Sequence, residues 1–107
     1  MLDVLLQAIA EPNRRRIIQI LHKDELSAGE ISTRFNVTRP AISQHLKVLE
    51  EAGLVGVRQE GTRRLYRFRP EGLSELKSFL EEFWDDQLWL LKQAAEAEEL
   101  QKGDSSS

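Results

Sequence analysis

Residues 27–54 constrain the fold more than any other stretch of the chain, because they read as two short helices joined by a tight turn. The first helix opens with a capping box. Ser27 can accept from the amide of Glu30 while the Glu30 carboxylate reaches back to the Ser27 amide. Ile31 and Phe35, four residues apart, give this helix its apolar side. The second helix opens at Thr38, whose hydroxyl can cap free amides, and Pro40 is tolerated because first-turn amides have no helical acceptor. Ile42, Leu46 and Leu49 then form an inward stripe at spacings of four and three, which turns Arg39, Ser43, Gln44 and Lys47 outward. Those four suit a DNA major groove: Arg pairs with guanine, Gln with adenine, Ser with either, and Lys finds phosphate. The pattern is a helix-turn-helix.

The flanks complete a fold class. Gly53 is placed as a left-handed cap, and two extended runs follow, residues 54–60 and 63–69, with Gly61 and Thr62 supplying the turn. Period-two alternation puts Tyr66 and Phe68 on one face and Arg67 and Arg69 on the other. An isolated hairpin is marginal, so this wing is expected to lean on the helices through Val55, Val57 and Tyr66. Arg63 and Arg64 at its tip are placed to follow a phosphate backbone or enter a minor groove. Upstream, Leu2, Leu5, Leu6 and Ile9 form a stripe on a short first helix, and a second helix begins near Pro12 and runs through Ile17, Ile18 and Leu21 to about His22. Arg14, Arg15 and Arg16 crowd its first turn, where the helix dipole disfavours cations. The reading preferred is pairing with neighbouring carboxylates, ahead of phosphate.

Downstream, Pro70 ends the second strand and a long last helix is predicted over about 71–99. Leu73, Leu76, Leu80, Phe83, Gln87, Leu90 and Ala94 alternate spacings of three and four as a helix–helix seam would, and Trp84, Leu88 and Leu91 widen it. So broad an apolar face is expected to pack on a symmetry mate with help from the first helix. The expected interface is Leu2, Leu5, Leu6, Ile9, Leu76, Leu80, Phe83, Trp84, Gln87 and Leu90. The fold class is mainly α with a small β-hairpin, a winged helix-turn-helix dimeric through its first and last helices. Residues 1–102 are expected to form one domain, with 103–107 a disordered tail.

Charge is segregated along the chain. The net charge is −3, yet residues 14–69 carry twelve Lys and Arg against six Asp and Glu, and residues 70–107 carry three against ten. A basic middle is what contact with phosphate requires. The chain has no cysteine, which excludes a disulfide framework, a thiolate metal site and a cysteine nucleophile. The first residues lack a basic leader and carry Asp3, and no stretch approaches about eighteen apolar residues, so a soluble, cytoplasmic protein without a membrane partner is expected.

No catalytic constellation is visible, and an enzyme is not expected. Asp85 and Asp86 are adjacent on a helix and diverge by about 100°. The two histidines, His22 and His45, cannot assemble a transition-metal site without other donors, so no metal and no cofactor are expected. His45 stands at the edge of the apolar stripe and reads equally as a DNA contact or as a half-buried histidine bonding a local carbonyl. Trp84 and Trp89 could line a small-molecule pocket near the last helix but fit dimer core better. The candidate DNA-binding set is Thr38, Arg39, Ser43, Gln44, His45, Lys47, Arg63 and Arg64. A winged helix can also serve as a protein-interaction module, which would show an apolar patch where this chain carries that polar set.

Four separated motifs, Ala10–Arg14 with Ile17–Leu21, then Ile42–Leu49, then Glu51–Val55, then Glu60–Tyr66, resemble the ArsR/SmtB family of winged-helix repressors in order and spacing over about residues 2–92. The resemblance implies a homodimer that represses transcription by binding a double-stranded, inverted-repeat operator. It also implies that Arg39, Ser43, Gln44 and His45 address bases or phosphates and that the wing adds contacts. Members that sense arsenic, cadmium or lead carry a Cys-x-Cys-type motif where this chain has Leu26–Glu30. Zinc-sensing members use Asp and His pairs on the last helix, where this chain has Asp85 and Asp86 but no histidine. Residues 83–91 look instead like the aromatic, acidic last helix of non-metal-sensing, autorepressor-like members, and the inducer is left open. Zinc, cadmium or arsenite at stoichiometric, micromolar levels should therefore leave the thermal midpoint and duplex affinity unchanged; a metal-induced shift in either would overturn the reading.

Overall fold

Ile42, Leu46 and Leu49 are fully buried, and the elements of the first part of the chain are arranged around them. The computed structural model describes residues 2–83 and 89–98. Its elements are α1 (Leu2–Ala10), α2 (Pro12–Leu21), α3 (Ala28–Ser32), α4 (Arg39–Glu51), β1 (Val55–Glu60), β2 (Arg63–Phe68), a 3-10 turn (Pro70–Leu73) and α5 (Ser74–Phe83), and residues 89–98 are also helical. The chain divides into two units, Met1–Leu76 and Lys77–Ser107. The first holds the helix-turn-helix, α3 and α4, and the antiparallel hairpin that forms the wing. Its core joins Leu5, Ala8, Ile17, Leu21, Leu26 and Ile31 to the α4 stripe, Leu54, Val55 and Tyr66. Each large aliphatic side chain so buried contributes about 1.5–3 kcal/mol.

Local rules set the ends of the motif. The Ser27–Glu30 capping box is present in both directions, and Thr38 Oγ1 accepts from the Ala41 amide at 3.3 Å. At the other end of α4, Gly53 has φ +78, the Leu54 amide donates to the Leu49 carbonyl at 2.9 Å and the Gly53 amide to that of Glu50 at 3.0 Å. This is a complete Schellman motif, and Leu49 and Leu54, the two residues whose apolar contact normally accompanies it, are both fully buried. It directs the chain into β1. The hairpin closes with Glu60 opposite Arg63 and the two-residue loop Gly61–Thr62, in which only Gly61 has positive φ, +62, as a type II′ turn requires.

The wing is anchored at its base by reciprocal backbone bonds between Leu26 and Tyr66, 3.1 and 2.8 Å, which tie the α2–α3 connection to β2. Its burial departs from simple alternation, since Leu65 and Tyr66 are both buried. Tyr66 faces the core. Leu65, on the opposite face, lies across from Arg58, which Glu25 and Glu60 hold in ion pairs, and a long charged stem of this kind covers apolar surface.

The side chains of the arginines that open α2 find partners other than the expected carboxylates. Arg14 donates from Nε to the Ala8 carbonyl at 2.7 Å and from Nη2 to that of Gln7 at 3.0 Å, while Arg15 Nη1 reaches the carbonyls of Ile9 and Ala10 at 2.7 and 2.9 Å. These are the last four carbonyls of α1, which no helical amide can serve and where the helix dipole is negative. Arg16 stacks over the Phe35 ring, 4.4 Å from its centroid.

Two other expectations change. The α1 stripe divides: Leu5 is 3% exposed and belongs to the core of its own subunit, Leu2 and Ile9 are half-buried, and Leu6 is 38% exposed. The reason is that Leu5 and Ala8, three apart, form the face packed on the core, and Leu6 lies about 100° round the helix from Leu5. The last helical segment begins with the 3-10 turn, and α5 starts only at Ser74. Trp84, Gln87 and Leu88 in the expected seam, and the expected tail 103–107, lie outside the described residues.

One contact fixes how the chain leaves the wing. A Cβ on Gly72 would stand 2.1 Å from the Gly53 carbonyl oxygen, so the 3-10 turn and the α4 cap meet backbone to backbone. Gly72→Ala should destabilise the protein by about 1–3 kcal/mol, the range of small-to-large overpacking. A urea melt with an unchanged midpoint would contradict that packing.

Candidate nucleic-acid interface

Because α4 buries Ile42, Leu46 and Leu49, its opposite side is left to polar residues. Thr38, Arg39, Ser43, Gln44 and Lys47 are all exposed, and Arg39, Ser43 and Lys47 follow one another at intervals of four along one line of the helix. Beside this line the wing tip and the start of α3 enclose a groove of about 380 Å³. Ser27, Ala28, Arg39, Ser43, Thr62, Arg63, Arg64 and Tyr66 line it. Four of the expected contact residues, Arg39, Ser43, Arg63 and Arg64, are thus brought together from two elements. Thr38, Gln44 and Lys47 lie on the exposed surface of α4 outside that lining.

His45 is placed differently. It is half-buried, with Nδ1 3.9 Å from Glu11 Oε2 and 3.5 Å from Arg14 Nη1. Its side chain therefore meets the elbow between α1 and α2 and does not join the groove. One residue past Gln44 is about 100° of rotation, enough to carry position 45 off the outward line. His45 is half-buried, as one sequence reading had it, but its neighbours are a carboxylate and a guanidinium instead of a local carbonyl.

Two acidic residues that sequence reasoning did not place at the wing hold it to the helices. Arg58 pairs with Glu25 through Nε at 2.8 Å and Nη2 at 3.2 Å, and with Glu60 at 2.9 Å. Arg63 pairs through Nη2 with Glu30 Oε1, the same oxygen that accepts from the Ser27 amide in the capping box. Arg64 is in no ion pair among the described residues and lies 5.9 Å from the centroid of the Tyr66 ring. The capping box made Glu30 visible in the sequence. Its wing partner, on an element distant in sequence, left no local signal.

The two clasps depend on ionised carboxylates. The Glu25 carboxyl is held below its ordinary value of 4.5, chiefly by the hydrogen bond from Arg58. The Glu30 carboxyl is also lowered, first by the Ser27 amide, then by the Ser27 hydroxyl, and further by the charge of Arg63. Since both folded-state values are depressed, their contribution to the wing is complete above the ordinary value and is lost as pH falls through the lower folded values. The side-chain resonances of Arg58 and Arg63 should accordingly shift in acid with midpoints below 4.5. Midpoints at or above 4.5 would show that the clasps do not hold in solution.

Among the described residues, no three His, Asp or Glu side chains are grouped to hold a metal ion, and no helix is long and apolar enough to cross a membrane. Comparison with known proteins bears on the same surface. Residues 9–58 match a family described as a helix-turn-helix domain. The chain is similar to an HTH-type transcriptional regulator, Rv2034, of Mycobacterium tuberculosis, 47% identical over 78 residues that make up 73% of each protein. Its structure is similar to that of an ArsR-like transcriptional regulator from Rhodococcus sp. RHA1, with a TM-score of 0.74, 32% identity, and 90% of this chain and 91% of that one covered. It is also similar to the homodimeric winged helix-turn-helix DNA-binding domain of Mb0332 from Mycobacterium bovis, with a TM-score of 0.64, 29% identity and 81% of each chain covered.

Proposed function

The chain belongs to the ArsR/SmtB family of winged helix-turn-helix transcriptional regulators, and from that premise we propose that it represses transcription by binding an inverted-repeat operator as a homodimer. The observation that carries the proposal is the groove that unites the outward line of α4 with the arginines of the wing. In this reading α4 enters the major groove. Arg39, Ser43 and Gln44 read base edges, and Lys47 and the wing arginines take phosphates. Thr38, at the amino end of α4, presents its hydroxyl and the positive end of the helix dipole to the backbone. His45 supports α4 from the elbow and contributes no base contact. The chain acts by binding, in the cytoplasm, without a metal or other cofactor. Its lack of cysteine favours a non-metal-sensing, autorepressor-like role.

Dimerisation is supported by exposed apolar side chains described in each unit. Val4 and Leu6 on α1 and, in the second unit, Phe79, Leu80 and Phe83 on α5 with Trp89, Leu90 and Leu91 all stand more than a third exposed. Phe79, Leu80 and Phe83, at spacings of four and three, share one side of α5, and an exposed apolar face of this kind marks an interface. The interface we propose keeps Leu2, Leu6, Ile9, Leu76, Leu80, Phe83 and Leu90 from the sequence expectation and omits Leu5, which the core already uses; Trp84 and Gln87 of that expectation lie outside the described residues. Placing the recognition helices of a dimer one DNA turn apart, about 34–36 Å, sets the spacing of operator half-sites.

Binding curves for alanine variants on operator and scrambled duplexes at several salt concentrations test this assignment. Gln44→Ala and Ser43→Ala should relax base preference, costing about 1–3 kcal/mol against the best site. Arg64→Ala should weaken all sequences alike and lower the salt slope by about 0.9 for each phosphate it no longer neutralises. His45→Ala should leave base preference unaltered. If no variant on α4 or the wing alters binding, the surface is not a DNA interface and the protein-module reading takes its place.

A further inference from the structure

We propose that Glu30 sets the DNA affinity of the wing groove by acting as a built-in phosphate surrogate for Arg63, an inference that rests on the DNA-binding reading of that groove. Two interactions converge on one carboxylate oxygen: Glu30 Oε1 accepts from the Ser27 amide at 3.0 Å and pairs with Arg63 Nη2. The first fixes the carboxylate to the opening turn of α3, so it is held in place by a helix cap as well as by its cationic partner. The second engages an arginine that lines the groove with Arg39, Arg64, Ser43 and Thr62. A guanidinium uses the same planar donors for a carboxylate as for a phosphate.

The consequence is an exchange. With Glu30 in place, a DNA phosphate gains Arg63 only by displacing the carboxylate, and the displaced carboxylate stays nearby because the capping box retains it. Arg64, one residue on, carries no such partner among the described residues. The two tip arginines are therefore unequal. Arg64 is open to phosphate at all times, whereas Arg63 is available only in exchange. Both members of the Glu30–Arg63 pair are about half exposed, 45% and 54%, so the exchange is easy enough for DNA to drive it. Glu30 acts through Arg63 and is a positioning residue of the interface.

Glu30→Gln isolates this role, because glutamine also serves the third position of a capping box while carrying no charge. The measurement is the affinity of the full chain for a mixed-sequence duplex over a range of salt, for wild type, E30Q, R63Q and the double variant, with a thermal melt of each. E30Q should bind about two- to fivefold more tightly, the range expected for releasing an exposed ion pair, and its salt dependence should be steeper. In the R63Q background the same change should have a smaller effect. R63Q alone should also cost less affinity than R64Q. Unchanged or weaker binding by E30Q would overturn the proposal. So would equal tightening with and without Arg63, which would make Glu30 a simple repulsive charge. If the wild type shows no salt-dependent binding to any duplex, the DNA-binding reading itself fails; if it binds and E30Q does not tighten it, only the role of Glu30 falls.

Discussion

The burial of Ile42, Leu46 and Leu49 fixes the rotation of α4 about its own axis, and the rest of the site depends on that rotation. A helix with one buried face has no freedom in what it shows on the other. Once the stripe is seated, Arg39, Ser43, Gln44 and Lys47 are outward, His45 meets Glu11 and Arg14, and the carboxyl end of α4 is aimed so that Gly53 can turn the chain into β1. A core substitution in the stripe would be felt as lower stability and as a change in which side chains face the groove.

The second requirement is that short elements be held by something other than their own hydrogen bonds. A two-stranded sheet is marginal alone. Here it is tied at its base by the Leu26–Tyr66 bridge and along its length by the Arg58 and Arg63 ion pairs, both to acidic residues close to the start of α3. The elbow between α1 and α2 is held by the same logic: Arg14 and Arg15 serve four carbonyls that α1 leaves unpaired. Arg14 also touches His45, so one side chain connects the first helix, the second helix and the recognition helix. The arginines of this family member thus divide between those that build the fold and those left for a nucleic-acid partner.

What could be read from the sequence follows the range of the interaction. The capping box at Ser27, the cap at Thr38, the α4 stripe, the turn at Gly61 and the left-handed Gly53 all arise from residues within a few positions of each other, and the structure places them as the residue types require. The partners of Arg14 and Arg15 were not legible, because backbone carbonyls of another helix leave no mark in residue types. Leu5 and Leu6 could not be told apart by periodicity alone; the packing of α1 on α2 chose Leu5 for the core. His45 is half-buried, as one of its two readings had it, and its partners, a carboxylate and a guanidinium carried by the elbow, lie too far off in sequence to be foreseen. The wing pairs Glu25–Arg58 and Glu30–Arg63 join residues on elements distant in sequence, and only the folded chain brings them together.

In the proposed complex the outward side of α4 and the wing tip, and no other face, receive DNA. Amide hydrogen exchange of the full chain, with and without a saturating duplex, distinguishes this face from the rest of the surface. Exchange should slow at the opening turns of α4 and at residues 59–64 when DNA is bound, with the amides of α2 unaffected. Protection confined to α1 or to the exposed apolar residues of α5, with none on α4 or the wing tip, would contradict it.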